Sequence, residues 1–177
     1  MTFNDTAAAY GLFQVVFADV VDHLAGATFH LLKREDPDLP FEKVFTQDAS
    51  KILKQFRAEV KQFDVVSPVA ENVHDLREAC KTISALMKWR NDRIHARVRM
   101  TDSGYALYDW RTRERLEIHG DVIVENIQLA INAMVKLETN VAPLIGQLKL
   151  DEELDKLFMS MPELLGPDDN DGGPAMA

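Results

Sequence analysis

A single cysteine, Cys80, occurs in 177 residues. One thiol leaves no partner for an intrachain disulfide and points to a reducing cytoplasm. No basic segment precedes the first apolar stretch, and the apolar run over residues 10–32 is broken by Gln14, Asp19, Asp22 and His23. Neither a signal peptide nor a membrane span is therefore expected. Internal repeats are missing, and so is a full set of metal ligands. His23 and His30 lie two helical turns apart with Asp19 one turn before His23, and Glu71 and His74 form one Glu-x-x-His pair. A metal site needs three or four ligands, and a di-iron bundle needs a second copy of that pair. No metal and no cofactor is expected.

What is present suits one helical domain. The 46% hydrophobic content is enough for a sizeable core, and it recurs at spacings of three and four. Residues 6–33 read as a first helix with Phe13, Val16, Val20, Leu24, Ala27 and Leu31 inward, stopped by Asp36, Pro37 and Pro40. A second, capped by Thr46, buries Ala49, Ile52, Phe56, Val60 and Phe63. Ser67 and Pro68 open a third, with Val73, Leu76, Cys80, Ile83 and Met87 as its stripe. The pattern then alternates, giving a small β-hairpin or three-strand meander over about 97–118. Asp121 caps a last long helix with Ile123, Ile127, Ala130, Met134, Leu137 and Val141 inward. Pro143 is expected to kink or end it, with a shorter helix over 151–159. The fold class is mostly α: an antiparallel bundle of four long helices with the β insertion before the last. The domain spans 1–160, and the acidic, Gly- and Pro-rich 161–177 reads as a disordered tail.

The third helix breaks its own rule at one position. Its stripe calls for hydrophobes at 90 and 94; Ile94 complies, but position 90 is Arg90, a permanent cation. Asn91 and His95 are one turn apart and can touch. Arg90 and His95 are about 140° apart on a straight helix and about 7.5 Å apart along it. They share a substrate only if the helix ends near Asp92 or if two copies meet across a symmetric dimer.

The chain carries −9 overall, but residues 88–115 hold eight basic against four acidic residues. Seven of the eight are arginines, suited to phosphate through their forked donors. Lys88, Arg93, Arg97, Arg99, Arg111 and Arg113 are the candidate RNA contacts, and Tyr105, Tyr108 and Trp110 could stack on bases. The plain alternative is a solvated face balancing an acidic neighbour.

The sequence RNDRIH, with Arg90, Asn91 and His95, resembles the Arg-x-x-x-x-His signature of the HEPN-superfamily ribonucleases. Ala96 stands where many members have Gly, and Arg97 where the branch silenced by AMP addition has Tyr, so that mode of control is not expected. The resemblance implies a compact helical bundle, a homodimer and a composite cleft in which Arg90 and His95 of both subunits cut RNA without metal. The third and last long helices would build the dimer.

The function expected is a metal-independent endoribonuclease. His95 acts as general base, Arg90 stabilises the phosphate transition state, and Asn91 orients one or the other. The products carry 2′,3′-cyclic phosphate ends. The setting is a toxin–antitoxin pair, anti-phage defence or RNA processing, with a cognate antitoxin or other protein as partner and no membrane. The alternative is a non-catalytic helical module that uses the basic patch over 88–115 to bind a nucleotide, RNA or a partner protein. In that reading Arg90 and His95 satisfy the carbonyls of a helix C-terminus.

Overall fold

The structure, a computed structural model, describes residues 3–63, 68–101, 104–109, 111–116 and 119–164. Ser67, Trp110 and residues 165–177 of the tail expected over 161–177 lie outside the described residues, as do the side chains of Arg97, Arg99 and Tyr105, whereas 161–164 are helical. Five helices and three strands follow in order: α1 (Phe3–Leu32), α2 (Glu42–Phe45), α3 (Ala49–Lys61), α4 (Ala70–Ile94), β1 (Arg97–Thr101), β2 (Gly104–Tyr108), β3 (Arg115–Leu116) and α5 (Gly120–Leu164). The chain is mostly helical.

Apolar periodicity makes the core. Phe13, Val20, Leu24 and Leu31 of α1 meet Ile52 and Phe56 of α3, Leu76 and Ile83 of α4, and Ile123, Leu137 and Leu144 of α5, all essentially without exposure. Cys80 is among them, and burial pushes its thiol up against the opposing pull of Arg57. Val16, Met87, Ile127 and Met134 pack only partly against this core; Phe17, Leu53, Leu86 and Leu144 are among the buried residues the simple stripes left out.

Polar pairs fix the directions of the helices. Asn72 Nδ2 donates to Asn140 Oδ1 at 2.8 Å, and Lys136 Nζ donates to Asp75 at 3.2 Å and Glu78 at 2.6 Å, so α4 runs antiparallel to α5. At the other end Trp89 of α4 packs edge-on to Phe13 of α1 at 4.8 Å, whereas Glu138 of α5 meets α1 ten residues farther on, with His23 2.7 Å away. Helices α1 and α5 therefore run in the same sense, opposite to α4. Helix α3 joins that sense too: its first residue, Ala49, shares a cavity with Phe17 and Ala18, and Arg34 beyond α1 donates to Gln62 beyond α3 at 3.2 Å. This differs from the expected alternating bundle of four long helices. The cause is the connector after α1, which returns along α1 (Phe41 on Phe29 at 5.5 Å) before α3 starts.

Local capping also differs from expectation. Thr46 closes α2 instead of opening α3, its hydroxyl donating to Glu42 O at 2.7 Å, and Asp48 in extended conformation precedes α3. Asp121 sits inside the first turn of α5, where a carboxylate favours the positive helix end. Helix α5 passes through Pro143 without ending and absorbs the segment expected as a separate short helix. Proline costs one backbone bond there, but Val141 and Leu144 on either side are both buried and hold the turn to the core.

The sheet is an antiparallel meander in the order β1-β2-β3, with Arg97 opposite Tyr108 and Tyr108 opposite Arg115. By length and composition, residues 5–32 of α1 could cross a membrane, a property that buried core helices share.

Candidate functional site

Helix α4 stops at Ile94 because the chain turns into the β-favouring run that follows. His95 is its C-cap, with φ −87° and ψ 1°, and the His95 N–H donates to Asn91 O at 3.2 Å. Lys88, Asn91, Asp92 and His95 recur at spacings of three and four, so they share one face of the last two turns. That face borders a cleft of about 450 Å³ whose other wall is Asp109 and Arg111 of the β2–β3 turn. The His95 ring is exposed, and among the described residues nothing hydrogen-bonds to it.

The turn is built to hold Arg111 there. Asp109 Oδ1 accepts the backbone N–H groups of Arg111 at 2.6 Å and Thr112 at 2.9 Å, which holds its carboxyl below the usual carboxylate range. Asp109 N–H donates to Glu114 O at 2.9 Å, and Arg113 is forced to a positive φ of 62°. An L-residue adopts that region at a cost.

Arg90 points elsewhere. Its Nε donates to Gln14 Oε1 at 2.9 Å, its Nη1 to Asn91 Oδ1 at 3.3 Å, and its guanidinium lies 5.6 Å from the centre of the Phe17 ring. It borders a different cavity of about 260 Å³, lined by Gln14, Phe17, Ala18, Val21, Asp22 and Ala49. One chain thus separates Arg90 from His95, as the 140° between them requires, and Asn91 is the link between the two cavities.

Arg93, one of the expected RNA contacts, is folded back on its own helix. Its guanidinium stacks 4.1 Å over Trp89, and Nη1 donates to Trp89 O at 3.2 Å. Burial draws it below its ordinary range, with Tyr10 and Asp92 opposing. The same burial raises the Tyr10 phenol, against Arg90 and Arg93. Arg93 Nε and Trp89 Nε1 are buried without an acceptor among the described residues. Of the remaining candidates, Lys88 and Arg111 line the cleft and Arg113 is exposed on the turn. Tyr108 is half-buried.

Comparison with protein-family models, curated proteins and solved structures finds no match to this chain. The site must be read from its own chemistry.

That chemistry includes two carboxylates the sequence reading missed. Asp92 was legible as the residue four after Lys88 and three before His95; Asp109 was legible as the head of Asp-x-x-Thr, a turn pattern. Two cations, an amide and an imidazole can hold a phosphodiester and move a proton, while Asp92 and Asp109 limit how much negative charge the cleft accepts. No three His, Cys, Asp or Glu side chains converge as metal ligands among the described residues, and His23, His30 and the Glu71–His74 pair form no such group.

Proposed function

We propose that this chain is a metal-independent endoribonuclease of HEPN-like type, working as a cytoplasmic homodimer in defence, in a toxin–antitoxin pair or in RNA processing. The observation that carries the reading is the convergence of Lys88, Asn91, His95 and Arg111 on one cleft at an exposed helix end. Neutral His95 takes the proton of a ribose 2′-hydroxyl, and the oxygen attacks the adjacent phosphorus. The bond to the 5′-oxygen breaks, leaving a 2′,3′-cyclic phosphate and a 5′-oxyanion that takes a proton from water to become the 5′-hydroxyl, while His95 returns its proton to solvent. Lys88 and Arg111 hold non-bridging oxygens, and Asn91, whose carbonyl oxygen is taken by Arg90, turns its N–H₂ toward the phosphate. Arg90 of a second copy would add the charge that stabilises the transition state.

A second reading, a non-catalytic module that binds RNA, a nucleotide or a protein through the basic patch, draws support from the engagement of Arg90 by Gln14 and Asn91. Cleavage of a fluorogenic RNA in EDTA by nuclease-free parent and His95→Ala protein separates the two. Parent activity lost in the variant, with RNA binding retained, supports the nuclease. Equal rates in both remove His95 from catalysis, and binding without cleavage in the parent favours the module.

A further inference from the structure

Four of the exposed large apolar side chains lie on two helices: Leu12 (54% exposed) and Val15 (61%) on α1, Val124 (53%) and Val135 (49%) on α5. At 100° per residue, Leu12 and Val15 occupy the flank of α1 that carries His23, Gly26 and His30; Val124 and Val135 occupy the flank of α5 that carries Glu138, Ala142 and Ile145. Those two flanks face each other across a cleft of about 560 Å³ with an apolar floor that includes Ala27 and Val141. Because α1 and α5 run in the same sense, the exposed strip and the cleft form one continuous seam. From residue 124 to residue 145 it is about 31 Å long. Exposed apolar side chains gathered along one line mark interaction sites more often than the same residues scattered singly.

Charge selects the occupant. Helix α1 contains no lysine or arginine, Lys136 of α5 is held by Asp75 and Glu78 of α4, and the lysines on this side, Lys33 and Lys149, lie beyond the end of the seam at His30 and Ile145. The seam instead presents the carboxylates of Asp19, Asp22 and Glu138. His23 bridges across it, its Nδ1 2.7 Å from Asp19 O and its Nε2 2.7 Å from Glu138. A second copy of this chain would set carboxylate against carboxylate, which disfavours that pairing. We propose that the α1–α5 seam is a docking groove for an amphipathic helix of a partner protein, apolar on one face and rich in lysine or arginine along its flanks. A helix of about 20 residues matches its length, with anchors at the three-and-four spacing of helix-in-groove recognition. This does not depend on the nuclease reading, since no residue of the seam lines the His95 cleft.

The test uses the full-length protein and two labelled 21-residue helical peptides with the same leucine stripe, one flanked by lysines and one by glutamates, read by fluorescence anisotropy. The lysine peptide should bind at least tenfold more tightly than its twin. Leu12→Gln with Val135→Gln should weaken it at least tenfold, as should Val15→Gln alone, with far-UV circular dichroism unchanged because these positions are exposed. Asp22→Asn with Glu138→Gln should narrow the lysine preference. Equal binding of the two peptides, or undiminished binding by the Leu12→Gln/Val135→Gln protein, overturns the proposal. So does sedimentation showing a parent dimer that the double variant dissociates, since the groove is then filled by a second copy. A dimer that survives the double variant lies elsewhere and leaves the groove open, as proposed. RNA cleavage by the Leu12→Gln/Val135→Gln protein should equal the parent's.

Discussion

His95 and Arg90 differ in how much of the fold rests on them. The His95 ring has no partner among the described residues, so His95→Ala should leave the melting temperature nearly unchanged while cleavage of fluorogenic RNA drops by about 10²–10⁴-fold. Arg90 bonds to Gln14 and Asn91 and lies over Phe17. Arg90→Ala should therefore lower stability by about 1–3 kcal/mol as well as activity, because it strands the half-buried Gln14 acceptor and uncovers the Phe17 ring. A denaturant titration beside the rate measurement distinguishes the two; an Arg90→Ala protein as stable as the parent contradicts the packing described. Glu59 offers a pH test. Burial, then the nearby Glu35, hold its carboxyl above its ordinary range, with Arg34 opposing. The folded state thus binds this proton more tightly than the unfolded chain, and the stability that goes with it is complete below the unfolded value and lost as pH rises through the folded one. Glu59→Gln should melt higher than the parent at pH 7, and the gap should close toward about pH 4. A gap that widens on acidification reverses the sign argued here.

Among the elements, the β2–β3 turn is the most constrained. Arg113 occupies a left-handed conformation suited to glycine, so Arg113→Gly should stabilise the chain by up to about 1 kcal/mol. Because it also removes a cation beside the cleft, it should weaken RNA binding slightly without ending cleavage. Thermal melts and binding curves on one preparation report both. How much of this was legible in the sequence depends on the range of the forces involved. The 3.6-residue period marked α1, α3, α4 and α5, since burying a stripe is decided locally. Strand alternation marked the meander for the same reason. That Thr46 closes α2, that α5 runs through Pro143 and that α1, α3 and α5 point the same way were not legible, because periodicity does not say how the connector folds back or how the last helix packs on the rest of the core. Asp48 and Thr46 compete for one turn, and the return of residues 33–48 along α1 involves Phe29, Phe41 and Phe45, which no periodicity ties together. The candidate site was legible to the same extent. Lys88, Asn91 and His95 fall on one helical face by arithmetic, but Arg93 folds onto Trp89 and Asp109 comes from a turn.

For the whole molecule, a single core joins α1, α3, α4 and α5, so damage in α3 should be felt at the cleft. Phe56 is fully buried between these helices, and Phe56→Ala should cost about 3–5 kcal/mol. Unfolding should remain one cooperative transition, with loss of His95 activity tracking the loss of helical signal; separate transitions would divide the chain into independent units. In an alternating bundle the peptide dipoles of neighbouring helices cancel, whereas here α1 and α5 point the same way and only α4 opposes them. The amino-terminal ends of α1 and α5 lie at the end of the molecule that carries His95, and each contributes a partial charge of roughly +0.5. The carboxyl end of α4 sets roughly −0.5 against them at the same end, so the helix dipoles of this acidic chain do not cancel and leave it electrically lopsided along its helices.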